Sequence, residues 1–276
     1  MKLADIHATK AFISQSAIAT SLPGGSAWLK RDYLFRPWAN EHRRVMKSLR
    51  HGHGGLVVSN SDYPVGKIQQ SMLWALPYLD RLAVTNLLVG ETPKLTTFPI
   101  GITDFMLGSP LHELFSSTEQ LTEAFPFSKE QVKRISVSFS PNTHKSRRLA
   151  LRQALVSRFC EVIEPEFSRL GRQRALNHSA SSLGVACPRG NGMDTHRLWE
   201  TFYVGSIPIV AQGEYPRALL DGSGLPYLVI EDWSHLGDVS TIEKLELIAA
   251  HPDINFERLR LDYWIKKLDV FFSQAG

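Results

Sequence analysis

A chain of 276 residues that is 43% hydrophobic and 21% charged has the composition of an ordinary globular protein, which excludes a disordered one. Its 31 basic against 27 acidic residues leave a formal net charge of +4, too little to mark a nucleic-acid binder by charge alone. Two cysteines, Cys160 and Cys187, exclude a disulfide framework, and neither belongs to a CxxC pair or a Cys/His cluster at metal-ligand spacing, so both are read as buried small apolar residues.

Near the N-terminus, AFISQSAIATSL carries Gln15 and three serines within its apolar stretch, and no run approaches the roughly 18 apolar residues of a membrane span. The expectation is a cytoplasmic chain without a membrane span; peripheral attachment stays open. SAWLKRDYLFRPWANEHRRVMKSLRHG then has a helical pattern, followed by the strand GLVVSNSD ending at Asp62, the helix VGKIQQSMLWALPYL and the strand RLAVTN. The polar stretch SSTEQLTEAFPFSKEQVK (116 to 133) has no strand pattern and marks a boundary, dividing the chain into domains at 1–128 and 129–276. Beyond it, strands at RISVSFS, CEVIEP, SLGVACP, IPIVAQ and LPYLVIED alternate with helical patterns at SRRLALRQALVSRF, DTHRLWETFYVG and TIEKLELIAAH. Short Val- and Ile-rich runs alternating with helices predict an α/β protein with parallel sheets. A last helix, NFERLRLDYWIKKLDVFFSQ, presents Phe256, Leu259, Tyr263, Lys266 or Lys267, and Val270 as a packing stripe.

Ligands of open parallel sheets bind beyond the carboxyl ends of the strands, so two loops of the second half matter. SFSPNTHKSRR (138 to 148) offers Ser138, Asn142, Arg147 and Arg148 at a helix start, a setting that suits a diphosphate or, equally, a capped helix with exposed arginines. PRGNGMD (188 to 194) offers Gly190 and Gly192, read as permitting positive φ and close backbone approach, and Asp194, read as the N-cap of a helix entered at Thr195. On that helix Arg197 and Glu200 lie three apart on one face. The arginine can fork onto phosphate oxygens and the glutamate can accept the two hydroxyls of a ribose; a salt bridge between the two is the competing reading. The basic run from Lys145 to Arg174 is compatible with a phosphate-bearing small molecule or with a solvated face, and its few aromatics argue against nucleic acid.

GNGMDTHRLWETFYVGSIPIV followed by EYPRALLDGSGLPYLVIEDWSHL resembles the C-terminal motif of exostosin-like glycosyltransferases, through Gly190, Gly192, Arg197, Glu200, Gly205, Ile207, Pro208, Ile209, Asp232 and Trp233. NSDYPV (60 to 65), FPIGITDF (98 to 105) and VSFSPNTHKSRR (137 to 148) extend the resemblance upstream in order. It implies a GT-B-like fold of two Rossmann-like parallel-sheet domains with a C-terminal helix packing back. The N-terminal domain would be a reduced, acceptor-side one and the C-terminal domain would hold a nucleotide-diphosphate sugar as co-substrate, with no metal or other cofactor. The expected activity is transfer of that sugar to a glycan, glycolipid or protein acceptor in surface polysaccharide biosynthesis. Arg197 would stabilise the departing diphosphate, and Asp62 is the expected base for the acceptor hydroxyl, with Asp104 and His53 as alternatives. A non-catalytic nucleotide- or glycan-binding protein of the same fold is the other reading.

Overall fold

Seven of the strands anticipated from sequence are present, and two more complete a pair of sheets in which every pairing is parallel. The computed structural model describes residues 13, 15–22, 26–30, 40–51, 54–59, 64–103, 132–140, 143, 148, 151, 159–164, 166, 168–250 and 255–274. The first sheet has the order β1-β2-β3-β4, with β1 at Ser26–Lys30, β2 at Gly55–Ser59, β3 at Arg81–Val84 and β4 at Leu95–Thr97. The second has the order β6-β5-β7-β8-β9, with β5 at Val132–Val137, β6 at Cys160–Val162, β7 at Ser182–Ala186, β8 at Ile207–Ala211 and β9 at Leu228–Ile230. Strands β2, β7 and β8 are buried at every position, as parallel strands covered on both faces must be.

Eight α-helices are described: α1 (Gln15–Thr20), α2 (Asn40–His51), α3 (Lys67–Trp74), α4 (Arg169–Ala180), α5 (His196–Tyr203), α6 (Arg217–Leu220), α7 (Val239–Ala249) and α8 (Leu261–Ser273). Strand periodicity distributes the side chains among three clusters. Leu56, Val58, Leu82 and Val84 point to one face of the first sheet, where Val45, Leu49 and Leu73 of α2 and α3 cover them. Ile135, Val137, Ile207, Ile209 and Ile230 of the second sheet pack against Ile242 and Leu245 of α7. The inward residues Val57 and Ala83 of the first sheet and Val185 and Val210 of the second share the third cluster, built around Trp199 of α5 and Trp264 of α8. The largest core thus crosses the boundary drawn from sequence. Of the boundary stretch, residues 116 to 131 lie outside the described ones, while Val132 and Lys133, read as having no strand pattern, open β5.

Two expectations are corrected, and one helix is added. The helical pattern read across the whole of SAWLKRDYLFRPWANEHRRVMKSLRHG contains strand β1, which pairs residue for residue with β2, and its later part forms helix α2. A tertiary partner overrides local periodicity there. The C-terminal pattern divides into a 3₁₀ turn at Glu257–Leu259 and helix α8, whose buried residues are Trp264, Leu268 and Phe272; Val270 is exposed. The stripe follows the helix from Leu261 onward, and the turn before it shifts the phase. Helix α4, capped by Ser168 Oγ accepting from Gly171 N–H at 3.0 Å, was not anticipated within the basic run.

Helix α8 lies against the first sheet. Arg81 donates to the Gln274 carbonyl at 2.7 Å, Lys267 reaches the Glu91 carboxylate at 3.4 Å, and Phe272 closes on Gly55, where a Cβ would stand 2.7 Å from its ring. Among the described residues no helix is long and apolar enough to cross a membrane.

Candidate functional site

Strand order reverses direction at β5, with β6 on one side and β7 on the other, and the crevice beyond the carboxyl ends of β5 and β7 is where an open α/β sheet binds ligands. A cavity of about 320 Å³ occupies that position. Its walls come from Ser138 to Ser140 after β5, from the loop between β7 and α5, from the first turns of α4 and α5, and from Thr103 of the N-terminal half. Eight residues proposed from sequence meet on it: Ser138, Arg148, Gly190, Gly192, Asp194, Thr195, Arg197 and Glu200. Asp62, Asn142, Arg147, Asp104 and His53 lie outside the described residues.

The helix that carries Arg197 and Glu200 ends in a glycine-dependent stop. Gly205, at φ 73°, donates to the Phe202 carbonyl while Ser206 N–H reaches Thr201, the paired bonds of a Schellman motif. Its start differs from expectation, because Asp194 is not the N-cap. Thr195 holds that position, with no side-chain capping bond, and Asp194 is buried, accepting Ile100 N–H at 2.7 Å on one carboxylate oxygen and Trp199 Nε1–H at 2.6 Å on the other. Its own N–H donates to Asn86 Oδ1 at 2.7 Å. Burial pushes the Asp194 carboxyl up to about 7 although both donors favour the ionised form. Asp194 is therefore a tie between the two halves of the molecule.

The glycines are likewise reassigned. Neither Gly190 nor Gly192 is among the glycines with positive φ. Gly192 is needed for close approach to a side chain: a Cβ there would stand 2.3 Å from Asn86 Oδ1, the atom that holds Asp194 N–H. At Gly190 a Cβ would make only ordinary contacts, the nearest at 3.5 Å.

Residues 100–103 run along α5 as a strap and bring the N-terminal half to the cavity. Besides the bond from Ile100 to Asp194, His196 Nδ1 lies 2.8 Å from the Gly101 carbonyl and Thr103 Oγ1 donates to Glu200 Oε1 at 2.9 Å. Thr103 and His196 were not anticipated from sequence, since contacts about a hundred residues apart leave no local pattern.

Arg148 is buried in the cavity wall, and its guanidinium donates to the carbonyls of Arg189, Ser140 and Pro188 at 3.0, 3.1 and 2.9 Å. It also lies over the Phe139 ring, 5.4 Å from its centroid. These bonds tie the loop after β5 to the loop after β7, so Arg148 braces the switch point where an open phosphate ligand was expected. Arg197 differs: among the described residues its guanidinium makes no hydrogen bond and no ion pair, so the salt bridge to Glu200 is not formed. Arg172, on α4, is in the same condition and lines the same cavity. Its signal in the sequence was the basic run; Ser168 as a cap marked the helix that carries it. Two buried hydroxyls on the wall, Ser138 Oγ and Thr195 Oγ1, have no hydrogen-bond partner.

Other reactive side chains are committed elsewhere. Burial pushes the Cys187 thiol up to about 12, so it remains protonated. Ser136 Oγ, His178 Nδ1 and Glu161 lie in a row, with 2.8 Å from hydroxyl to imidazole and 3.0 Å from His178 Nε2 to the carboxylate, but Ser136 is 0% exposed and no substrate reaches it. Trp233 donates to Glu214 at 3.1 Å and Asp232 caps the turn after β9, both outside the cavity wall. Among the described residues no group of three His, Cys, Asp or Glu side chains is placed to hold a metal ion. Compared with protein-family models and with curated proteins, the chain matches none.

Proposed function

We propose that this protein is a cytoplasmic GT-B-type glycosyltransferase that binds a nucleotide-diphosphate sugar in the switch-point cavity and passes the sugar to a glycan, glycolipid or protein acceptor. The observation that carries the reading is the combination of two arginines without carboxylate partners and two buried hydroxyls without hydrogen bonds, on the walls of one cavity at the carboxyl ends of β5 and β7. Buried polar groups normally find partners, and a diphosphate supplies acceptors for both kinds of donor. The N-terminal end of α5 adds backbone N–H groups and a favourable dipole for negative charge.

In this reading the charge that develops on the departing diphosphate is met by Arg172 and Arg197, placed before the reaction begins. Glu200 has one oxygen held by Thr103, which orients the carboxylate and leaves Oε2 for a ribose hydroxyl. The resemblance to exostosin-like enzymes through Arg197, Glu200 and Gly205 supports the same assignment.

The test is thermal stabilisation by UDP, GDP, CMP, ADP and dTDP, with and without magnesium, since a ligand of the folded state raises the midpoint with the logarithm of its concentration over Kd. One nucleotide is expected to stabilise the wild type, and Arg197→Ala to weaken its binding at least about 100-fold, the loss of a charge-assisted contact of about 2–4 kcal/mol. Equal binding by Arg197→Ala sinks the site assignment. Nucleotide binding without sugar transfer identifies a non-catalytic binding protein instead.

A further inference from the structure

A sugar transferase needs a group that removes the proton of the acceptor hydroxyl, and the described residues offer one that the sequence did not single out. His196 opens helix α5 and lines the cavity between Thr195 and Arg197. Its Nδ1 lies 2.8 Å from the carbonyl of Gly101, an acceptor that cannot donate, so Nδ1 carries a proton and Nε2 of the neutral ring carries the lone pair. No described group binds Nε2.

The Gly101 carbonyl is itself held. Ile102 N–H, the other end of the same planar peptide unit, donates to the Ile13 carbonyl at 2.8 Å. Gly101 has φ 70°, and a Cβ there would stand 2.2 Å from the Ile13 oxygen. The peptide is thus clamped between the N-terminal segment and the imidazole, and the ring is oriented by a group that does not change its protonation. This is the arrangement of an imidazole used as a base: one nitrogen anchored by a hydrogen bond and the other without a described partner, on a residue that lines the cavity.

We infer that His196 is the proton acceptor of this site, taking the proton of an acceptor hydroxyl through Nε2. The inference rests on the transferase reading above. As the acceptor oxygen forms its bond to the anomeric carbon, the bond from that carbon to the diphosphate oxygen breaks and its electron pair leaves with the nucleoside diphosphate. The hydroxyl proton passes to Nε2 and is then lost to solvent. The charged groups that line the cavity with His196 are Asp194, Arg197 and Glu200, close to it in the chain, and Arg148, Arg172 and Glu166.

The discriminating variant is His196→Asn, whose amide N–H can replace Nδ1–H against the Gly101 carbonyl but which has no basic nitrogen. The full chain is assayed for nucleotide binding, and for release of nucleotide from UDP-glucose and GDP-mannose with water or a mixed glycan pool as acceptor, from pH 5 to 9. Imidazole nitrogen signals of the labelled protein are read in parallel, with His196 assigned by its absence in the variant. The expected results are a neutral Nδ1-protonated tautomer, nucleotide Kd within twofold of wild type in the variant, kcat at least 100-fold lower, and loss of the rising limb of the pH profile. An Nε2-protonated tautomer, a variant that keeps more than a tenth of wild-type kcat, or a limb that persists in the variant and so belongs to Asp194, overturns the inference. Nucleotide binding with neither donor turned over by the wild type also overturns it while leaving the binding site standing. Absence of nucleotide binding in the wild type removes the transferase reading and this role together.

Discussion

Arg148 and Arg197 line the same cavity, come from corresponding positions after adjacent strands, and were given the same task from sequence, yet the fold uses them in opposite ways. Arg148 is buried with its guanidinium engaged by three backbone carbonyls, and the wall around it, including Asp194, Asn86 and Gly192, is closed by specific bonds. Elsewhere on the same lining Arg172, Arg197, Ser138 and Thr195 are left with donors that the protein does not use. The difference teaches that residue type and position near a strand end do not assign a role. Satisfaction does: a group whose bonds are complete supports the site, and a group whose bonds are missing is available to a ligand.

Substitutions of the satisfied groups should therefore cost stability, and those of the unsatisfied groups should cost binding. The largest effect is expected for Arg148→Ala, which strips three carbonyls of a charged donor and unties the two loops; a loss of about 3–4 kcal/mol in urea unfolding is expected. A loss under about 1 kcal/mol would erase the distinction between the two arginines.

Asp194→Asn comes next, at about 2 kcal/mol, because one amide oxygen cannot accept from both Ile100 N–H and Trp199 Nε1–H, and the amide NH₂ must face one of these donors. The same variant sharpens the comparison through pH. The Asp194 carboxyl is raised to about 7 in the folded protein from an ordinary 3.8, so the folded chain keeps this proton where the unfolded chain has lost it. The stability linked to that proton is fully present below about pH 4 and gone above about pH 7. Unfolding measured across this window should show the wild type losing stability relative to Asp194→Asn as pH rises. A constant difference would mean that Asp194 titrates normally.

The two loop glycines form a smaller test. Gly192→Ala should destabilise by about 1–2 kcal/mol, because its Cβ displaces Asn86 from Asp194 N–H. Gly190→Ala, whose Cβ would make only ordinary van der Waals contacts, should change stability by no more than about 0.5 kcal/mol. Equal melting midpoints for the two would remove the steric argument.

A stability change of the opposite sign, and the sharpest contrast with Arg148, is expected for Ser138→Ala. Removing a buried hydroxyl that has no partner should leave stability unchanged or raise it by up to about 1 kcal/mol, while nucleotide affinity falls about tenfold. A destabilised variant with normal affinity would move Ser138 to the satisfied, supporting groups.

Much of this organisation was legible in the sequence. Short apolar runs bounded by glycine, proline and polar residues marked β2, β3 and β5 to β9; the clearest, β2, β7 and β8, are buried at every position, and strands covered on both faces need continuous apolar segments whatever their neighbours. The loops after β5 and β7 were found by the general behaviour of parallel sheets, and they do meet at one cavity. Less legible were β1 and β4, three to five residues long and defined by pairing, and helix α4, whose charge obscured the buried Ala175 and Leu176.

Roles within the site were not legible, and the reason is range. Local chemistry made Asp194 a helix cap, Gly192 a flexible turn and Arg148 a phosphate ligand. Partners eight to 108 positions away made them a tie, a close approach and a brace. The same long-range contacts brought Gly101 to His196 and Thr103 to Glu200. The sequence by itself determined the α/β class, most of the strands and the two loops that build the cavity, since these follow from local periodicity and turn chemistry. Only the tertiary structure decided which polar groups are satisfied by the protein and which remain for a ligand, because hydrogen-bond satisfaction belongs to pairs of residues brought together by folding.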